Sequence, residues 1–429
     1  MRGFFSNRSV AKRCHILGML KQQRKGVHRS YHTPGHKRRG YDITELSYSD
    51  NLSCPRGVIA LAESDIATIL GAESSFILTD GSTAGVLSML LALKEHGCRR
   101  IAAPIESHKS FFNGCALLGL TPVLFETPAS ALPCALTVDD VAKSLENADA
   151  LFLTSPDYYG NVADLKEISM LCKRAGKPLV IDGAHGGHLH FNQDLYAGNY
   201  ADLWVDGVHK SLPALTQGAV VSARKNGGFS ESLKRAVGTF RTTSPSYPIM
   251  ASVEYAVKSP QNKDLEAFVL ALKKADERLY AGQDYTKLCV FSSDGFALQK
   301  FAETKGLYPE FSEANTLCFY LSPTQNKSDV KRILKFLNQA ERQGLLIKEK
   351  DVHRIPAPAE LQNIEGLETE NVPFEESEGR IAARVCGLFP PCLPLLRKGE
   401  RITKEKIDAL KNAPNRFGVD DDKITVVKR

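Results

Sequence analysis

No stretch of this 429-residue chain approaches the ~18 consecutive apolar residues that span a bilayer, and Met1-Arg2-Gly3-Phe4-Phe5 opens no apolar run of signal-peptide length. A membrane location is therefore not expected, and the reading is of a cytoplasmic protein. Cysteine occurs ten times, but the ten are scattered, with no C-x-x-C pair and no Cys/His cluster of zinc spacing. That argues against a disulfide framework and against a zinc module, so reduced structural thiols and no metal are expected. Charge of one sign is also scarce. The net charge of +6 is small for this length and its basic residues are dispersed, which gives no basic stripe for a nucleic acid. Internal repeats and low-complexity tracts are missing as well.

What is present is globular composition, 43% apolar and 24% charged. The length exceeds what one compact core serves, so a large domain and a smaller one are expected. From about residue 57, helical periodicity in Val58 to Leu70 and Ser82 to Glu95 alternates with short apolar runs. These are Ser75 to Leu78, Arg100 to Ala103, Pro122 to Phe125, Ala150 to Leu153, Leu179 to Asp182, Leu203 to Val205 and Ala219 to Ser222. The alternation predicts an α/β domain whose mostly parallel sheet carries helices on both faces. After Tyr247 a helical stretch, Ile249 to Tyr280, is interrupted near Ser259-Pro260, where proline ends or kinks a helix. Strands at Lys287 to Phe291 and Thr316 to Leu321, helices at Gly295 to Thr304 and Lys327 to Gln343, and a last strand-and-helix set predict a smaller α+β domain. The expected division is an N-terminal arm over 1–40, a large domain over 41–260 and a small domain over 261–429.

Four places carry chemistry, all at predicted carboxyl ends of strands, where α/β proteins build their sites. Thr79-Asp80-Gly81-Ser82-Thr83-Ala84-Gly85 lies between a strand and a helix. Its small residues let backbone N–H groups and the Ser82 and Thr83 hydroxyls approach a phosphate at the helix N-terminus, although the motif taken alone is better explained as a capped helix start after a tight turn. His108, in Glu106-Ser107-His108-Lys109-Ser110, is placed at the same sheet edge, where an imidazole can stack on a flat ring or simply start a helix. Asp182 ends a hydrophobic strand, where a carboxylate is expensive without a cation; a protonated pyridine nitrogen is such a partner, and His185 is placed to orient it. Lys210 ends a further strand 28 residues later (210 minus 182). An amine that forms a Schiff base and an upstream acid that holds a pyridinium are the minimum equipment for pyridoxal 5'-phosphate chemistry.

Longer stretches add to this. They include Thr33-Pro34-Gly35-His36-Lys37, Ser155-Pro156-Asp157-Tyr158-Tyr159-Gly160, Asp182-Gly183-Ala184-His185 and, most diagnostic, His209-Lys210-Ser211-Leu212-Pro213-Ala214-Leu215-Thr216-Gln217. Thr243-Ser244-Pro245 and Phe389-Pro390-Pro391 to Gly399-Glu400 continue the pattern. With these, the chain resembles the pyridoxal-phosphate-dependent ornithine/lysine/arginine decarboxylases in their short bacterial form, of aminotransferase-like fold (fold type I), over nearly its whole length.

The resemblance implies that Lys210 carries the cofactor, Asp182 pairs with its pyridine nitrogen and His108 stacks on its ring. It further implies that Ser82, Thr83 and His209 line the phosphate end, that His185 supports the ring, and that Lys210 or His209 returns a proton to the substrate. Thr243 and Ser244 resemble a segment that reaches a neighbouring subunit's phosphate, so a homodimer is expected. The implied activity is decarboxylation of a basic amino acid, arginine before lysine or ornithine, in polyamine biosynthesis. Another pyridoxal-phosphate reaction, aminotransfer or side-chain cleavage, and a cofactor-binding relative without decarboxylase activity remain alternatives. Four departures from the family pattern bear on this choice: Gly207 where a serine is frequent, Arg384 where an acid is frequent, Cys392 in place of glycine, and Arg397-Lys398 in place of a pattern ending in proline. Glu310 and Glu313 are the candidate acids for the substrate's cationic side chain.

Overall fold

The computed structural model describes residues 5–25, 29–37, 40–127, 135–348, 361–362, 364, 366–388, 394–413 and 415–428. Seven short runs form one sheet: β1 (Ala72–Leu78), β2 (Arg100–Pro104), β3 (Thr121–Phe125), β4 (Ala150–Thr154), β5 (Leu179–Gly183), β6 (Leu203–Asp206) and β7 (Ala219–Arg224), in the order β1-β7-β6-β5-β4-β2-β3. Only β7 runs antiparallel to its neighbours. Every residue of β5 and β6 is buried, which is why these strands read as unbroken apolar runs rather than as alternating ones. Helices Val58–Leu70, Gly81–Glu95, Lys109–Leu118 and Leu165–Ala175 follow the strands or lead into them, and two hydrophobic clusters cover the two faces. The mostly parallel α/β domain is as the apolar pattern predicts.

The first of those clusters reaches into the segment expected as an arm. Helix His15–Gln23 buries Ile16, Leu17 and Leu20 beside Ile59 and Ile66. Glu254 accepts from the backbone N–H groups of His15 and Ile16 at 2.6 and 3.0 Å, so a carboxylate from helix Tyr247–Val257 caps the positive end of the N-terminal helix. Lys258 supplies the cation, 2.9 Å from Glu254 and 2.6 Å from Asp65, to which His15 also pairs. This cluster is a structural tie, with an ammonium where its acids converge.

Beyond the break at Ser259-Pro260 the smaller region divides into two cores. The first packs helices Lys263–Ala275, Gly295–Thr304 and Lys327–Arg342 on the antiparallel strands β8 (Lys287–Phe291), β9 (Phe311–Glu313) and β10 (Thr316–Tyr320). The second gathers Val372, Phe374, Leu396, Ile407 and Ile424 around short strands and helix Lys404–Asn412. The eight described cysteines are free thiols, seven of them buried. Phe389, Pro390, Pro391 and Cys392 lie outside the described residues.

Candidate active site

The parallel strands deliver their ends to one place. Asp182 stands next to last in β5, in register with Thr154 of β4 and Val205 of β6, and is 3% exposed. Its Oδ1 accepts from the Ala184 N–H at 3.1 Å. Burial raises its pKa, and the nearby Lys210 charge and the Ala184 N–H oppose that rise. A carboxylate so placed requires a proton or a cation.

Lys210 sits in the short helix Val208–Ser211 that follows β6, with Nζ 3.0 Å from His185 Nε2. His185 is buried between two phenol rings, Tyr158 at 4.6 Å and Tyr320 at 5.5 Å between centroids. Burial first, then the charges of Lys210 and Lys287, hold its pKa well below the usual histidine range. It is a neutral imidazole whose Nε2 is an acceptor for the lysine.

His108 caps helix Lys109–Leu118, its Nδ1 accepting from the Ser110 backbone N–H at 3.2 Å and lying 2.8 Å from the Ser110 hydroxyl. Burial, with Lys210 and Lys109, pushes its pKa down to about 4, so at neutral pH the ring is flat and uncharged. His209 donates from Nδ1 to the Gly218 carbonyl at 3.0 Å, which leaves Nε2 to exchange a proton, and burial lowers its pKa too. At the start of helix Gly81–Glu95, Gly81 N–H bonds the Gln217 carbonyl at 2.9 Å, tying the Gly81-Ser82-Thr83 turn to the loop after Lys210. The Ser82 hydroxyl is buried without a hydrogen-bond partner.

These groups line one cavity of about 200 Å³. Seven sequence-derived residues meet there: Ser82, Thr83, His108, Asp182, His185, His209 and Lys210. Ser110, Thr154, Tyr158, Thr216 and Gln217 share its wall; most lie in stretches the motifs already contain, but no pattern assigned them a role. Thr243 and Ser244 do not join it. They are exposed, with Ser244 N–H on the Thr242 hydroxyl at 3.0 Å and Thr242 N–H on Asp80 at 3.3 Å.

Glu310 is exposed, and Glu313 accepts from the Tyr159 hydroxyl at 2.8 Å; neither lines the cavity. Arg384 is exposed too, and pairs with Asp420 at 2.8 Å. Gly207 has a steric cause, since a Cβ there would stand 2.1 Å from the Ala184 carbonyl oxygen. The turn after β6 crosses the end of β5 so closely that serine does not fit this backbone.

The fittings match pyridoxal phosphate. An unpartnered hydroxyl sits at the N-terminus of a 15-residue helix, suited to a phosphate. A buried carboxylate awaits a cation, a neutral imidazole offers a flat face, and an amine lies within the same wall. Fold and site define a fold-type I pyridoxal-phosphate enzyme.

Comparisons with known proteins make this specific. Residues 22–277 match the major domain of the Orn/Lys/Arg decarboxylases, and residues 343–414 match their C-terminal domain. The chain is 27% identical to the uncharacterized protein YaaO of Bacillus subtilis (strain 168), over 91% of this chain and 92% of that protein. It is also 27% identical to an arginine decarboxylase of Halalkalibacterium halodurans, over 91% of each. The solved constitutive lysine decarboxylase of E. coli superposes with a TM-score of 0.71 at 19% identity, covering 97% of this chain and 82% of that one. The chain belongs to the Orn/Lys/Arg decarboxylase family and is a pyridoxal-phosphate-dependent amino-acid decarboxylase.

Proposed function

We propose that the substrate is a basic amino acid, arginine before lysine or ornithine, released as the corresponding amine and carbon dioxide and feeding polyamine formation. The observation that carries the assignment of roles is the convergence of Lys210, Asp182 and His108 on one cavity whose fourth side is the Ser82 turn. The order of substrates rests on the arginine decarboxylase relative.

Ser82, Thr83 and His209 would hold the phosphate end, His108 would cover one face of the ring, and Lys210 would be the covalent anchor. Pyridoxal phosphate held by these residues would supply the sink for the electron pair of the bond from Cα to the carboxylate. Asp182, 3% exposed, would hold positive charge on the ring nitrogen. His185, kept neutral, accepts from Lys210 Nζ and fixes where that amine points. Lys210, or His209 through its open Nε2, then returns a proton to Cα. Arg384 faces solvent beside Asp420, so its replacement of an acid supports no loss of the chemistry. Thr243 and Ser244, exposed on their own chain, fit completion of a partner's site, and we propose a homodimer.

The test is carbon dioxide release from arginine, lysine and ornithine without a keto-acid acceptor, with the amine quantified. Arginine should be fastest, and activity should follow the dimer fraction measured by light scattering on dilution. Conversion of the substrate to its 2-oxo acid, only with a keto-acid acceptor and without carbon dioxide, would replace this reading with aminotransfer.

A further inference from the structure

A second cavity, of about 60 Å³, lies against the first and shares Thr154 and Tyr158 with it. Its other polar lining residues are Glu106, Ser107, Thr127, Asp157, Tyr159 and Asn161. Asp157 is committed: Oδ1 accepts from the Tyr159 and Asn161 N–H groups, each at 2.9 Å, and Oδ2 from Asn161 Nδ2 at 2.8 Å. Glu106 is not. Its Oε2 is buried without a hydrogen-bond partner, and so are the hydroxyl oxygens of Thr127 and Thr154. Three unmet oxygens around one void are costly unless something brings donors to them.

Glu106 stands two residues before His108, between the end of β2 and the helix that His108 caps, so the void adjoins the reacting end of the site. At roughly 10–15 Å³ per water-sized group, it has room for the four heavy atoms of a guanidinium. A competing cation is Arg397, 8% exposed and within electrostatic reach of Glu106, Glu126 and Glu400. Among the described residues it makes no ion pair with Glu106 within 4 Å, and its own Nε is unpartnered.

We propose that this second cavity receives the distal cation of the substrate, with Glu106 as its counter-charge and Thr127 and Thr154 as further acceptors. The proposal rests on the basic-amino-acid reading and names, in place of Glu310 and Glu313, the acid that selects for charge.

The experiment compares wild type with Glu106→Gln, an isosteric change, and with Thr127→Val, which removes one hydroxyl from the same wall. Two readouts are taken on the holoenzyme: calorimetric binding of agmatine, and kcat and KM for arginine against the uncharged norleucine. Glu106→Gln should weaken agmatine binding and raise the KM for arginine by about 10²-fold, because one partner of a desolvated charge pair is lost. Norleucine kinetics and cofactor absorbance should hold. Thr127→Val should give a several-fold effect in the same direction, and Glu310→Gln none. If Glu106 only serves Arg397, Glu106→Gln will lower the melting temperature and leave agmatine binding and selectivity intact, which overturns the proposal. Wild type that does not bind agmatine overturns it as well, while carbon dioxide release from basic amino acids reports separately on the function proposed above.

Discussion

His185 is where two differently built regions meet, and each contains an aspartate and a lysine. On the large-domain side stand Asp182 and Lys210; behind the ring, in the smaller region, stand Asp284 and Lys287. The second pair is committed internally. Asp284 Oδ1 lies 2.8 Å from His188 Nε2 and accepts from the Thr286 N–H at 2.8 Å and the Thr286 hydroxyl at 2.7 Å. Lys287 Nζ lies 3.4 Å from Asp284 Oδ2 and 4.3 Å over the Tyr320 ring. Both side chains are fully buried; burial pushes the Asp284 pKa up, but electrostatic attraction to His188 and Lys287 and hydrogen bonds from His188 and Thr286 together hold it well below the carboxylate range. Asp182 is shifted the other way, because its surroundings leave burial uncompensated. The difference teaches that residue type does not mark the site. A reactive acid such as Asp182 is one whose burial the protein leaves incompletely compensated; a scaffold acid such as Asp284 is one whose partners it supplies.

The sharpest way to break this comparison is to remove the reactive pair. Lys210→Ala should reduce carbon dioxide release to background while phosphate-end binding of the cofactor survives in part. Asp182→Ala should keep the cofactor bound but slow turnover by at least ~10²-fold, the scale expected when a charge partner in the transition state is lost. Both should leave the melting temperature of the cofactor-free protein nearly unchanged or raised. Near-normal turnover in Asp182→Ala, or a collapse of stability in either variant, would show that this pair is scaffold after all.

The complementary substitution, Lys287→Met, should do the reverse. Removing one partner leaves the buried Asp284 with His188 and Thr286 but without its lysine, and breaking such a pair costs about 3–5 kcal/mol. The expected outcome is a melting temperature lower by roughly ten degrees with kcat within a few-fold of wild type at a temperature where the variant is folded. An inactive but fully stable Lys287→Met would move that lysine into the chemistry.

This contrast also explains what could be read from the chain. Asp182 was legible because it follows the apolar run of a buried strand, where a charge is conspicuous; Lys210, expected at a strand end, instead lies in the short helix that follows β6, because the chain turns at Gly207. The helices Val58–Leu70 and Gly295–Thr304 were legible to the residue because their apolar spacing is strict. Tyr158 lies in the Ser155 to Gly160 motif but Tyr320, 162 residues on, lies in no motif, and neither position shows that both rings pack against His185. The Asp284 contact with His188 spans 96 residues and exists only once the small region folds against the large one. The N-terminal helix was hidden for another reason, since its end is capped by Glu254 from 239 residues away rather than by a neighbour in sequence. Thr243 and Ser244 were legible only by resemblance, and one chain cannot give them a partner.

The smallest expected effect comes from a third strand-end acid, which shares features of both pairs. Asp206 ends β6 in register with Gly183. Its Oδ2 accepts from the Tyr196 hydroxyl at 2.7 Å and Trp204 Nε1 at 3.1 Å, while Oδ1 is buried without a partner. Burial raises its pKa to about 7, against these two bonds. A carboxyl whose folded pKa lies above its unfolded one favours the protonated form on folding. Its contribution is full below the unfolded value, near 4, and is lost as pH rises to about 7. Asp206→Asn stays neutral throughout. The variant's melting temperature should therefore match wild type near about pH 4 and exceed it by several degrees near about pH 8, the gain growing between and flat above. His108 and His190, both pushed down to about 4 by burial, destabilise the protein in the opposite direction, as pH falls from about 6.5; they act alike in both proteins and cancel in the difference. A difference that shrinks as pH rises would mean that Asp206 is ionised in the fold, with a cation or donor supplied to Oδ1, and would place it with Asp284 rather than with Asp182.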